Sequence, residues 1–270
     1  YKRQGAIVDS FRCDTMEAVK KAAAIGIKGL QMYCTRGAHA PENFGKEERR
    51  ELLHFVKDNG MVFSAICGDL GRGFGDPALN SELIEQSKRI MDMAKDFETD
   101  IVTTHIGVVP ADKNHDRYKI MQEACYELAR YADSIGSHFA VETGPEPSAV
   151  LAEFLDSLDS TGVAVNLDPA NLVMVTGDDP VQAVYNLRRY IVHTHAKDGI
   201  KLADGNPEYI YRVVHPIPEE VQGVSYFKEV PLGTGSVDFK KYLAALDDIG
   251  YRGFLTIERE VGDDPARDIK

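Results

Sequence analysis

The chain is predicted to fold as a closed, parallel (β/α)8 TIM barrel, on three observations. Short apolar runs rich in β-branched residues recur eight times along its 270 residues, amphipathic stretches of helical period separate them, and glycines punctuate the helix ends. The strands are read at "GAIVDSF" (5–11), "GLQMYC" (29–34), "VFSAICG" (62–68), "IVTTHIG" (101–107), "HFAVETG" (138–144), "GVAVNLD" (162–168), "IVHTHAKD" (191–198) and "GFLTIERE" (253–260). Between them lie the amphipathic stretches 16–25, 46–59, 81–97, 116–135 and 238–249, closed by "AIGIKG", "DNGMVF", "SIGSHF" and "DIGYRG". A doubly wound open sheet is the competing architecture. It would carry a glycine-rich nucleotide turn after its first strand, and "DSFRCD" is not one.

Composition narrows the function. The net charge is −12 and no Lys/Arg-rich stripe is visible, which disfavours a nucleic-acid partner. No apolar run approaches the roughly 18 residues of a membrane span, and "YKRQGAIVDSF" shows no signal-peptide core. The four cysteines, Cys13, Cys34, Cys67 and Cys125, fit neither a zinc pattern nor a disulfide framework. A cytoplasmic protein with one barrel domain over residues 1–270 is expected. The missing initiator Met, and a helix expected only to begin at "DDPARDIK", predict a piece of a slightly longer chain.

Barrel active sites lie at the C-terminal ends of the strands. The fourth strand ends in His105, the fifth in Glu142, the sixth in Asp168, the seventh in His193 and His195, and the eighth in Glu258 and Glu260. Any one of these residues could simply cap the barrel. Acids and imidazoles on four consecutive strands are hard to stabilise that way, because buried acids need partners. A divalent cation would supply the missing charge. Strand parity agrees: Ala140 and Glu142, Asn166 and Asp168, and Thr256 and Glu258 point inward, while Phe139, Val141, Leu255 and Ile257 face the helices.

The motifs "VETG" (Glu142), "NLDPAN" (Asp168, Asn171), "HTHAKD" (His195), "PLGTGSVDF" (231–239) and "GYRGFLTIERE" (Glu258) occur in this order at the ends of strands five to eight. In that order the sequence resembles the xylose-isomerase-like TIM barrels, a group of sugar isomerases and epimerases, inosose dehydratase-like proteins and endonuclease IV. The resemblance covers essentially the whole chain and is specific for the superfamily rather than for one reaction. Its tagatose-epimerase-like branch implies one divalent metal ion held by Glu142, Asp168, His195 and Glu258. Three carboxylates and one imidazole favour Mn²⁺, with Mg²⁺, Co²⁺ or Zn²⁺ as substitutes. Glu142 and Glu258 are then the acid–base pair, and a metal-dependent sugar or polyol isomerase or epimerase acting through an enediolate is expected. The alternatives are a metal-dependent lyase or dehydratase, including C-glycoside cleavage, and a catalytically silent sugar-binding barrel.

The resemblance also departs from its pattern. Asn171 stands where many relatives have a histidine, and Phe227 and Glu229 stand where a trinuclear zinc site needs an Asp and a His, so endonuclease chemistry is not expected. His105, Asn171 and Lys197 are the candidate substrate-binding residues. For His105 a backbone-bonded rim position is the alternative, and for Lys197 a salt bridge to a neighbouring acid. His193 is expected to support the site from one pleat deeper. "GDLGRGFGDP" (68–77) is read as a flexible surface loop. Within the long connection 199–230, Tyr209 to Arg212 suggest a small hairpin, either over the site mouth or in a homo-oligomer contact. Ser236 or Asp238 is expected to cap the helix after "GTGSVDF".

Overall fold

The computed structural model describes residues 3–213 and 216–269. Eight parallel strands close on themselves: β1 (Arg3–Ile7), β2 (Gly29–Tyr33), β3 (Val62–Cys67), β4 (Ile101–Thr104), β5 (His138–Glu142), β6 (Val163–Leu167), β7 (Ile191–Ala196) and β10 (Phe254–Ile257). β1 pairs with β2 on one side and β10 on the other, completing the (β/α)8 barrel. The main connecting helices are α1 (Thr15–Ala24), α2 (Lys46–Asp58), α3 (Pro77–Asp96), α4 (Asp116–Ile135), α5 (Ser148–Asp156), α7 (Pro180–Asn186) and α9 (Phe239–Asp248). Smaller pieces are α6 (Pro169–Asn171), which runs into a π-helical turn at Leu172–Thr176, α8 (Pro207–Ile210) and α10 (Pro265–Ile269). Among the described residues no helix is long and apolar enough to cross a membrane.

An Asx-Pro pair starts several of these helices. Proline cannot donate its missing N–H at the first helical position, and the preceding side chain caps the next free donor. Asp76, Asp179 and Asn206 accept from the backbone of Ala78, Val181 and Glu208 in this way. After "GTGSVDF" the capping residue is Asp238, which accepts from Lys241 N, and not Ser236. Outward side chains such as Phe139 and Val141 join the apolar shell under the helices, while inward positions are small or polar, as parity predicts.

Four readings of the sequence are corrected. The apolar runs overshoot the strands: β1 stops at Ile7 and turns into a 3-10 helix over Val8–Phe11, and β4 stops at Thr104. Hydrophobicity does not show where the ladder loses its partner. The run 191–198 is two strands. Beyond Ala196 the chain leaves the barrel, and β8 (Asp198–Lys201) pairs antiparallel with β9 (Phe227–Val230). That is the hairpin of the long connection; the segment at Tyr209 is helical instead, because Asn206-Pro207 starts a turn of helix there, and Val214 and His215 lie outside the described residues. Finally, the glycine-rich segment 68–77 is anchored. Phe74 is 2% exposed and its N–H bonds Ile106 O, while Asp69 joins the site described below.

Asp198 holds the exit of the barrel to the returning chain. Its buried carboxylate accepts backbone N–H groups from Gly199, Gly233, Gly235 and Val237 at 2.8–3.1 Å. A Cβ on Gly235 would lie 2.3 Å from Asp198 Oδ1, so glycine is what lets the loop wrap the acid. Asp198→Ala is expected to destabilise the chain by about 3 kcal/mol, since several donors are left without a charged acceptor. Equilibrium denaturation reads this as a lower midpoint; an unchanged midpoint would show that the loop holds its shape without the carboxylate.

Candidate metal centre

Four side chains converge where strands five to eight of the barrel end. Glu142 closes β5, Asp168 follows β6, His195 lies in β7, and Glu258 follows β10. One donor atom from each lies within 4.8 Å of all the others, and all four residues are buried. His195 Nδ1 is 3.0 Å from Glu258 Oε2, 3.4 Å from Asp168 Oδ2 and 3.7 Å from Glu142 Oε1.

Glu142, Asp168 and His195 are oriented from behind. Asp168 divides its carboxylate: Oδ1 caps α6 by accepting Asn171 N at 2.9 Å, which leaves Oδ2 turned towards His195. Glu142 accepts from Asn171 Nδ2 at 2.8 Å and from Asn166 Nδ2 at 3.2 Å. His195 Nε2 is 3.0 Å from Gln31 Oε1, to which it can donate, and 3.2 Å from Asn166 Nδ2, while Nδ1 faces the three carboxylates and can serve as a ligand once it has lost its proton. Gln31 in turn donates to Thr103 Oγ1. His193, one pleat deeper, donates from Nδ1 to Asn166 Oδ1 at 2.9 Å, while Thr256 Oγ1 lies 3.0 Å from its Nε2. It supports Glu142 through Asn166, in line with the expected supporting place.

The charges explain what this cluster calls for. Burial disfavours a charged His195, but Glu258 and Glu142 outweigh it and hold the imidazole well above its ordinary value. Burial drives His193 the other way, well below the usual range, with the neighbouring His195 adding to the shift. Burial raises Asp168 to about 6 against the hydrogen bond from His195. Burial would also raise Glu258, yet Lys197 and His195 bring it well below the carboxylate range. Three buried acids therefore require positive charge at Nδ1, and three oxygen donors with one nitrogen make a set that a divalent cation fits.

The surrounding residues form a cavity of about 600 Å³ above the cluster. Of the candidate substrate-binding residues, all three line it. Asn171 is tied to Glu142 as above, and Lys197 is buried with its Nζ 3.0 Å from both Glu258 Oε2 and Glu260 Oε2. The salt bridge anticipated for Lys197 is thus present, and the ammonium still borders the cavity. His105 bonds a side chain rather than backbone: its Nδ1 donates to Asp69 Oδ2 at 3.2 Å, and its Nε2 is 3.9 Å from Glu142 Oε1. Burial opposes its charge, but Glu142 and Asp69 raise it to about 9.

Several contributors are invisible to strand-end reasoning. Asp69 enters from the glycine-rich segment. Gln31 could have been suspected as the one polar side chain inside "GLQMY". Tyr211 comes from the long connection, its ring centroid 5.7 Å from that of His105. Gly144, at φ +134°, admits it, since a Cβ there would lie 2.8 Å from Tyr211 Oη and 2.5 Å from Asn171 Cβ. Glu229, noted in the sequence only for what it is not, is buried and accepts from Arg259 Nη1 at 2.6 Å. That pair clamps β9 to the segment after β10.

The model of the xylose isomerase-like TIM barrel matches residues 19–270. The chain belongs to that family. Family members of known name divide between reactions. An inosose dehydratase of Clostridium perfringens is 26% identical over 157 residues, 57% of this chain and 50% of that protein. The match thus spans about half the length of that curated relative. A putative L-ribulose-5-phosphate 3-epimerase of Haemophilus influenzae is 23% identical over 244 residues, 84% of this chain and 77% of that protein. Among solved structures, a xylose isomerase domain protein from Planctomyces limnophilus superposes with TM-score 0.79 at 25% identity, covering 100% of this chain and 93% of the other.

If a cation joins this cluster, His195 must give up its proton, so binding is coupled to pH. Purified protein, stripped and titrated with Mn²⁺, is expected to bind about one ion per chain and release a proton, read with an indicator in weak buffer. Saturating metal at about a hundredfold over Kd should stabilise the fold by about 2.7 kcal/mol, and His195→Ala should remove both signals. Titration with neither heat, proton release nor a change in melting temperature would refute the centre.

Proposed function

We propose that the chain is a divalent-metal-dependent enzyme of small sugars or polyols. In this reading Glu142, Asp168, His195 and Glu258 are the ligands, with Mn²⁺ as the ion. The observation that carries the proposal is the convergence of these four buried donors beneath a cavity lined by His105, Asn171 and Lys197. When bound, the ion would supply Lewis acidity to a carbonyl and so acidify the adjacent C–H.

The chain's own residues then handle protons. Glu142 and Glu258 approach the cluster from different strands, so one can take a proton from carbon and the other can return one. Return to the opposite face of the same carbon is epimerisation; return to the neighbouring carbon is aldose–ketose isomerisation. Lys197 holds positive charge against Glu258, which favours the carboxylate once it has delivered its proton. Asn171 holds Glu142 in position by its amide donor. The leading reading is isomerase or epimerase.

A second reading is favoured by one contact. His105, braced by Asp69, borders the cavity beside Glu142 and is placed to protonate a leaving hydroxyl. Abstraction at carbon followed by loss of that hydroxyl is dehydration, the reaction named for the Clostridium perfringens relative. The substrate is in either case a small carbonyl compound of the sugar or cyclitol kind.

Turnover in D₂O separates the two. Under epimerase or isomerase chemistry, a ketose should acquire solvent deuterium at the carbon beside the carbonyl, whereas dehydration gives a product lighter by one water. Glu258→Gln and Glu142→Gln should each slow turnover by roughly 10²–10⁴-fold, with metal content measured alongside. Near-normal rates in either variant with the ion retained would overturn the assignment of the acid–base pair.

A further inference from the structure

The cavity above the cluster has two kinds of lining. Its floor, formed by the strand ends, is polar: Glu142, Asn171, Lys197 and Glu258 among others. Apolar side chains line the cavity too, from segments that are not part of the repeating strand–helix units, and Lys228 and Glu229 of β9 line it beside them. Met174 and Val175 belong to the π-helical turn, Ile210 and Tyr211 to the end of α8, and Phe227 to the start of β9.

This apolar lining is built rather than incidental. Met174 and Val175 form a small core with Ala170 and Val237, and Ile210 and Tyr211 pack against it. Gly199 makes room for Met174, whose Sδ would lie 2.1 Å from a Cβ at that position. Tyr211 is set by His105 on one side and by the open space at Gly144 on the other. Phe227 stays 39% exposed and Val261 48%, so apolar lining residues also reach the solvent.

A cavity of about 600 Å³ is in the range that holds drug-sized ligands, so a monosaccharide bound at the cluster would fill only the floor. Any hydroxyl set against Met174, Val175, Ile210 or Phe227 would lose water that those side chains cannot replace, which costs free energy. An apolar ring on the far side of the sugar removes that cost and buries apolar surface on both partners. We infer that the substrate is a sugar or cyclitol carrying an apolar, ring-sized substituent, aryl foremost, and that Met174, Ile210, Tyr211 and Phe227 receive that substituent. The inference rests on the sugar chemistry proposed above and names the substrate class for the same site.

The test uses the whole chain, with its metal content measured in the same sample. Phenyl and methyl β-D-glucopyranosides, galactopyranosides and xylopyranosides are compared by ligand-observed NMR titration, with and without Mn²⁺. In at least one pair the phenyl member should bind about tenfold more tightly, as burial of one ring predicts. Phe227→Ser and Ile210→Ser, at exposed and half-buried positions, should each shrink that preference to about threefold or less. Equal affinities in every pair, no phenyl glycoside binding at about 10 mM, or a preference that survives both substitutions would overturn the inference. A preference seen in a chain that takes up no metal supports the subsite and removes the proton-transfer reading. A metal-loaded chain without the preference overturns the subsite and leaves that reading intact.

Discussion

Three carboxylates and an imidazole, all buried and with one ligand atom of each within 4.8 Å of the others, impose a charge requirement that organises the whole rim. Low dielectric makes their mutual repulsion costly unless positive charge is placed among them. Lys197 meets part of it from the cavity side, and the proton on His195 meets part from within. The layer beneath adds neutral partners. Asn166 and Asn171 donate to Glu142 and Gln31 accepts from His195, while Glu258 is held by Lys197; His193, kept neutral by burial, ties Asn166 in place. Such preorganisation matters because a ligand or catalytic group loses its value when left free to rotate.

The long connection after β7 turns a general-purpose barrel into a shaped site. Two buried acids hold it at its two ends. Asp198 gathers the glycine loop that leads to α9, and Glu229, through Arg259, fastens β9 to the segment after β10. Between these anchors the chain contributes Ile210, Tyr211 and Phe227 to the cavity. Barrel enzymes commonly vary their chemistry through such loops while the strands stay the same.

Family membership and reaction are separate questions here. A dehydratase and a putative epimerase both stand among the relatives, and the two chemistries can share their first proton transfer. What distinguishes them is the fate of a hydroxyl on the next carbon. In the proposed reading the groups that bear on this are His105 and Asp69, which lie outside the four-residue cluster.

The fold and the four converging residues were legible in the sequence because both depend on short-range rules. Alternation along a strand put Glu142, Asp168 and Glu258 on the inner face, and barrel closure carries inward residues at strand ends to one place. The glycine signals marked helix ends for the same local reason. Where β7 leaves the barrel was not legible: "HTHAKD" alternates without a break, and only the pairing of β8 with β9 shows that Asp198 belongs to another sheet. Nor could the partners of Lys197, the place of Asp69 beside His105, or the apposition of Tyr211 to Gly144 be read from spacing. By itself the sequence determined the barrel, its inward acids and the family's motifs, since periodicity acts between neighbours along the chain. Which side chains close over those acids was decided by the tertiary structure, because contacts between residues dozens of positions apart depend on how loops pack and on which buried charges find partners.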